Sequence, residues 1–136
     1  MSAGVVSYLL DTGWIVRHLR GHQAYTESIS RLAPDGLAVS IISVAELQEG
    51  VSLAKDRERA ARSLTTFLTS VAILLVEEET CRIFGELSAT LHKKGNYPGD
   101  FDTLIGATAL QHQLTVLTTD ADDFSRFEKL TIITVP

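Results

Sequence analysis

Five short apolar runs, separated by segments whose apolar residues recur at the helical period, predict an α/β fold of three layers, α/β/α, with a central, mostly parallel five-stranded sheet. The runs are continuously hydrophobic rather than alternating, as expected of strands covered by helices on both faces. Connections between successive parallel strands are right-handed, which distributes the intervening helices over the two faces. The 136 residues match a single domain, expected to span residues 1–136, that buries a core without disulfides or structural metal.

The first run, "VVSYLL" at 5–10, ends in Asp11, and Thr12-Gly13 reads as the turn into a first helix against which Trp14 packs. Tyr25, Ile29 and Leu32 carry the helical period onward to a second strand, "LAVSII" at 37–42. Helical stripes follow at Val44, Leu47, Val51 and Ala54, and at Leu64, Phe67 and Leu68, before a third strand, "VAILLV" at 71–76. The segment from Glu77 to Lys94 is the clearest helix. Three glutamates stand at its start, Phe84, Leu87 and Leu91 form a stripe, and Lys93, Lys94 and Gly95 end it. After the loop "GNYPG" a last long helix is expected from about Asp102 to Gln113. Strands "TVLT" at 115–118 and "TIITV" at 131–135 close the chain.

Composition excludes several classes. A net charge of −5 argues against a broad basic surface that grips nucleic acid, though not against an enzyme acting on it. With 45% apolar and 21% charged residues the chain has globular values. The longest strongly apolar run is far short of the ~20 residues a membrane helix needs. The opening "MSAGVVSYLLD" lacks the positive region of a secretory signal. The only cysteine, Cys81, has no partner for an internal disulfide and is expected to be a buried small hydrophobe. A cytoplasmic protein is expected.

Ligands of such sheets bind beyond the carboxyl ends of the strands, so the acids there matter. Asp11 ends the first strand, and Glu46 follows the second by a helical turn in "ISVAELQEG". Asp100 and Asp102 open the last long helix in "PGDFDTLIGATAL", and Asp120, Asp122 and Asp123 follow the fourth strand in "VLTTDADDF". Each has a structural explanation too. Ser43 and Glu46 fit a capping box, Asp100 and Asp102 suit a helix start, and Asp120 to Asp123 suit a solvated turn. Asp11 is harder to dismiss, because a carboxylate directly after apolar strand residues needs a partner or a cation. Four segments delivering carboxylates to one sheet edge would repel one another without a cation. All-oxygen ligands favour Mg²⁺ or Mn²⁺, and the scattered His18, His22, His92 and His112 give no zinc pattern.

Asp11-Thr12-Gly13 also matches the triplet around an aspartic protease's catalytic carboxylate, with "LIGA" at 104–107 mimicking a second element. Those enzymes are almost entirely β, whereas here "LIGA" lies in a helical pattern.

Taken together, "LLDT", "SVAEL", "GDFDTLIGATAL" and "VLTTDADDF" resemble, in order and approximate spacing over nearly the whole chain, the PIN-domain ribonucleases, particularly the VapC-type toxins of prokaryotic toxin–antitoxin modules. The resemblance implies a PIN-like fold and a metal-dependent endoribonuclease that hydrolyses RNA phosphodiester bonds. It also implies a homodimer restrained by a cognate VapB-like antitoxin bound across its groove. Carried over by position, Asp11, Glu46, Asp102 and Asp120 are the implied catalytic acids. Asp11, Asp102, Asp120 and Asp123 are the implied ligands of Mg²⁺ or Mn²⁺, with Asp120 favoured over Asp123. Asp100, Ser43 and Thr118 are secondary candidates. Gly13 departs from the Asn or Ser usual after "LLDT", and Gly106 stands where alanine is usual.

Arg17, Arg20, Arg57, Arg59 and Arg62 read either as guides for RNA or as solvated helix faces. Two rival functions stay open at the sequence level. A phosphoacceptor domain of the receiver kind wants paired acids after the first strand and a lysine after a late one, which "VLTTD" does not supply. A catalytically inactive PIN-like binding module would be suggested by loss of an acid, and all are present.

Overall fold

The computed structural model describes residues 5–135; residues 1–4, where the targeting-segment reading begins, and residue 136, the far limit of the expected domain, lie outside the described residues. Strands β1 (Tyr8–Leu10), β2 (Leu37–Ser40), β3 (Ala72–Leu74), β4 (Thr115–Leu117) and β5 (Ile132–Ile133) form one sheet in the order β3-β2-β1-β4-β5. Every pairing is parallel, with Leu9 opposite Ala38 on one side and Val116 on the other. Helices α1 (Thr12–Leu19), α2 (Gln23–Leu32), α3 (Ile41–Leu53) and α4 (Arg57–Leu68) precede β3. Helices α5 (Glu78–Lys93) and α6 (Asp100–His112) lead to β4, and the single turn α7 (Ala121–Phe124) leads to β5.

Alternate side chains of the central strands feed two cores. Leu9, Ala38 and Val116 join Leu91 of α5, Ile105 and Ala109 of α6, and Phe124 and Phe127. Leu10, Val39 and Leu117 join Trp14 and Ile15 of α1, Leu47 of α3, and Leu64 and Phe67 of α4. Each fully buried large apolar side chain contributes about 1.5–3 kcal/mol relative to exposure. Leu9, Leu10, Val116 and Leu117 are all at 0% exposure, so the inner strands are firmly seated and can end in buried polar residues. Trp14 packs edge-to-face on Tyr25 at 5.1 Å, and its indole Nε1 is the one buried side-chain donor without a hydrogen bond among the described residues.

The winding direction reverses at β1, since the chain moves to β2 and β3 on one side and to β4 and β5 on the other. This switch point opens a crevice between the carboxyl ends of β1 and β4. The Asp-Thr-Gly protease reading is thereby excluded, because the sheet is parallel and residues 104–107 lie inside α6.

The strands are shorter than the apolar runs. Ile41 and Ile42, expected in a strand, start α3, because the Ser40 hydroxyl accepts from the Ile42 N–H at 3.0 Å and turns the chain directly off β2. The capping-box role expected for Ser43 is corrected for the same reason: Ser40 is the cap, and Ser43 lies a turn inside, fully buried. The last long helix starts two residues before the expected Asp102. Cys81 is exposed rather than buried. The inward position beside it belongs to Thr80, whose hydroxyl is taken up by the Glu77 N–H and the Gln111 side chain. No helix among the described residues is long and apolar enough to cross a membrane.

Candidate functional site

Asp11 closes β1 and caps α1. Its Oδ1 accepts from the Thr12 N–H at 2.7 Å, and its Oδ2 accepts from the Thr118 hydroxyl at 2.9 Å. Thr118 follows β4 and is fully buried, and its oxygen in turn accepts the Asp120 N–H at 2.8 Å. One hydroxyl therefore joins the carboxyl ends of the two strands flanking the switch point. Asp11 is only 6% exposed. Burial pushes its carboxyl up to about 6, the hydrogen bonds from Thr118 and Thr12 oppose that rise, and the charges of Glu46 and Asp120 add to it.

A second hydroxyl organises the opposite wall. Thr12 Oγ1 lies 2.7 Å from Glu46 Oε1 and 2.9 Å from Ser43 Oγ. A hydroxyl has one proton, so Thr12 donates to the glutamate and accepts from Ser43. Glu46 and Ser43 sit on one face of α3 at the i, i+3 spacing, and that face meets the start of α1.

The third wall is the start of α6 with α7. One carboxylate oxygen each of Asp102, Asp120 and Asp123 lies within 4.8 Å of the others, the one such group among the described residues. Asp120 caps α7 by accepting the Asp123 N–H at 3.1 Å, so a single turn presents both carboxylates. Burial pushes the Asp102 carboxyl up to about 7, followed in effect by a hydrogen bond shared with Asp123 and by the charges of Asp11, Asp123 and Asp120. Arg126 Nη2 stands 3.3 Å from Asp123 Oδ1.

This donor set fits a hard divalent cation. Oxygen ligands of one Mg²⁺ stand no more than about 4.2 Å apart, so the three carboxylate oxygens, all within 4.8 Å of one another, need only draw together a little around an ion. The charges of Asp11, Asp123 and Asp120, which add to burial in raising the Asp102 carboxyl, are charges a cation would neutralise. Histidine and cysteine are absent from the group.

Of the acids read from the sequence, the structure brings Asp102, Asp120 and Asp123 together and leaves Asp11, Glu46 and Asp100 outside that group. Asp123, placed second to Asp120, stands in the cluster equally with it, whereas Asp11 faces the cluster without belonging to it. Asp100, a secondary candidate, turns to the Tyr97 hydroxyl instead, and Tyr97 stacks on His92 at 3.9 Å. His18 engages Thr26, and His112 lies 3.8 Å from Glu77, so neither is at the site. Of the arginines, Arg20 and Arg59 line a groove of about 670 Å³ with Glu46, and Arg62 lines a neighbouring hollow with His18.

Sequence reasoning missed Thr12 as the anchor of Glu46, and it missed Arg126. The Asp11-Thr12 and Asp123-Arg126 neighbourhoods were visible, but no local pattern gave their partners. Gly13 also finds a neighbour: a Cβ there would collide with Thr119 Oγ1 unless that side chain turned away, the next nearest atoms being at 3.6 and 3.7 Å. Gly106 was read as a small change in helix propensity, yet a Cβ there would stand 2.9 Å from the buried Phe127 ring.

Residues 8–130 match the PIN domain. The chain is 33% identical over 125 residues to ribonuclease VapC2 of Rickettsia felis, covering 90% of this chain and 93% of that protein. Among solved structures, VapBC2 of Rickettsia felis bound to a DNA fragment from its promoter superposes with a TM-score of 0.89 at 30% identity, over 95% of this chain and 98% of that one. VapBC-1 of nontypeable Haemophilus influenzae superposes at 0.86 with 28% identity and the same coverage.

Proposed function

Because the chain belongs to the PIN-domain family, we propose that it is a Mg²⁺- or Mn²⁺-dependent endoribonuclease, the cytoplasmic toxin of a type II VapBC-like module. The observation that carries this reading is the convergence of Asp102, Asp120 and Asp123 on one point, faced by Asp11, at the switch point of the sheet. Asp102, Asp120 and Asp123 would hold the cation, faced by Asp11. When bound, the ion polarises the scissile phosphate and makes its coordinated water a stronger acid.

The protein's own groups do the rest. Thr118 and the Thr12 N–H fix the Asp11 carboxylate in one orientation. Glu46, held at Oε1 by Thr12, takes a proton from the attacking water. Water oxygen bonds to phosphorus as the ester P–O bond breaks, and the departing oxygen takes its proton from solvent.

A VapB-like antitoxin is the proposed partner. The groove between α1, α3 and α4 supports it, since Val16, Leu19, Leu47, Val51 and Leu64 give it an apolar lining that runs up to Glu46. Leu53, 79% exposed, stands at its rim. A homodimer is proposed as well, supported by the exposed Leu75 and Phe101.

The decisive experiment is RNA cleavage with Mg²⁺ or Mn²⁺ and with chelator, alongside Asp11→Asn and Asp102→Asn. Loss of cleavage in the chelated sample and in both variants is expected. Undiminished cleavage by both variants would sink the assigned site, and a folded wild type inactive on every RNA would favour a non-catalytic binding module.

A further inference from the structure

Arg126 is the one cation in contact with the acid cluster among the described residues, and it makes two connections. Nη2 meets Asp123 Oδ1 at 3.3 Å, while Nη1 donates to the backbone carbonyl of Asn96 at 3.4 Å. Asn96 lies in the loop between α5 and α6, which runs through Tyr97 and Gly99 into Asp102. A second tie runs parallel, from Lys94 Nζ to Glu128 Oε1 at 3.3 Å. The guanidinium thus reaches from the segment that carries Asp123 to the one that leads to Asp102.

From this geometry we propose that Arg126 is a positioning residue of the cation site: it holds Asp123 at Oδ1 and fastens the α6 entry loop to the α7 turn, so that Asp102 and Asp123 stand ready for one ion. The role rests on reading the acid cluster as a metal site.

Two effects of Arg126 oppose each other. Its charge repels a divalent ion, but at a partly solvated site solvent and salt screen that repulsion. Losing a group that orients a metal-ligating carboxylate costs about 10–100-fold in affinity, the larger effect. The side chains of Arg126 and Asp123 are 30% and 25% exposed, against 53% and 79% for Lys94 and Glu128, so the Arg126 pair is the more constrained of the two ties. Lysine retains the charge but lacks the fork that serves two acceptors.

The test measures Mn²⁺ affinity by calorimetry or electron paramagnetic resonance on the full chain, for wild type, Arg126→Gln and Arg126→Lys. Thermal unfolding of each without metal serves as the folding control. Both variants are expected to bind Mn²⁺ about tenfold more weakly while their metal-free melting temperatures stay close to wild type. Wild-type affinity in Arg126→Lys combined with tighter binding in Arg126→Gln would show a mere counter-charge and overturn the role. Unchanged affinity in both overturns it equally. A wild type that binds no Mn²⁺ overturns the metal reading itself, and the positioning role with it.

Discussion

Thr118 Oγ1 donates to Asp11 Oδ2 at 2.9 Å across 107 residues of sequence, and the same oxygen accepts the Asp120 N–H at 2.8 Å. Thr118→Val keeps the shape of the side chain but leaves a buried carboxylate oxygen unpaired, at a cost of about 1–3 kcal/mol. A lower denaturation midpoint and weaker Mn²⁺ binding are expected together, by chemical unfolding and calorimetry. If binding is unaffected, the hydroxyl does not orient the acids.

Thr12 tests the opposite wall. Thr12→Val removes the donor to Glu46 and the acceptor for Ser43, whereas Thr12→Ser keeps both. RNA cleavage should fall in the valine variant and persist in the serine variant, with Mn²⁺ affinity unchanged in each because Glu46 lies outside the three-carboxylate cluster. Equal activity in the two variants would remove Glu46 from the proposed mechanism.

The raised carboxyls give a pH dependence of definite sign. Asp11 at about 6 and Asp102 at about 7 both lie above the ordinary 3.8, so the folded chain holds these protons more tightly than the unfolded chain. Their contribution to stability is complete below the unfolded value and is lost as pH rises through 6 to 7. Metal-free wild type should therefore lose more stability than Asp102→Asn between about pH 5 and about pH 8. Added Mg²⁺ should restore wild type at the upper end, as differential scanning calorimetry would read. A parallel pH profile for the two proteins contradicts the raised Asp102 carboxyl.

Gly13 and Thr119 compete for one space, and a double-mutant cycle exposes it. Gly13→Ala brings a Cβ against Thr119 Oγ1 and should lower stability by about 1–3 kcal/mol. Adding Thr119→Ala removes the offending oxygen and should recover most of that loss. Additive effects would mean the two residues do not meet.

Gly106→Ala pits helix propensity against packing. Alanine gains at most about 1 kcal/mol in a helix, while overpacking against Phe127, 2% exposed, costs about 1–3 kcal/mol. Net destabilisation is expected in urea unfolding, and a stabilised variant would show that the Phe127 ring moves aside freely.

Much of the architecture was legible because it is local. Continuous apolar runs identify strands buried on both faces, and the 3.6-residue stripes at Leu87 and Leu91 or Leu64 and Phe67 identify the helices between them. Strand ends were less legible. Ser40 stops β2 by capping α3, which the apolar Ile41 and Ile42 conceal. Cys81 was misplaced because a type-based expectation of burial ignores which side of α5 the residue occupies.

By itself the sequence determined an alternating α/β chain and carboxylates at the strand ends, both consequences of hydrophobic period and of acids placed beside turns. Tertiary structure alone decided that Asp123 joins Asp102 and Asp120, that Glu46 leans on Thr12, that Asp11 leans on Thr118, and that Arg126 pairs with Asp123. The physical reason is range. Burial preference is a property of each residue and its neighbours, whereas a hydrogen bond between Asp11 and Thr118 exists only once parallel pairing sets β1 and β4 in register.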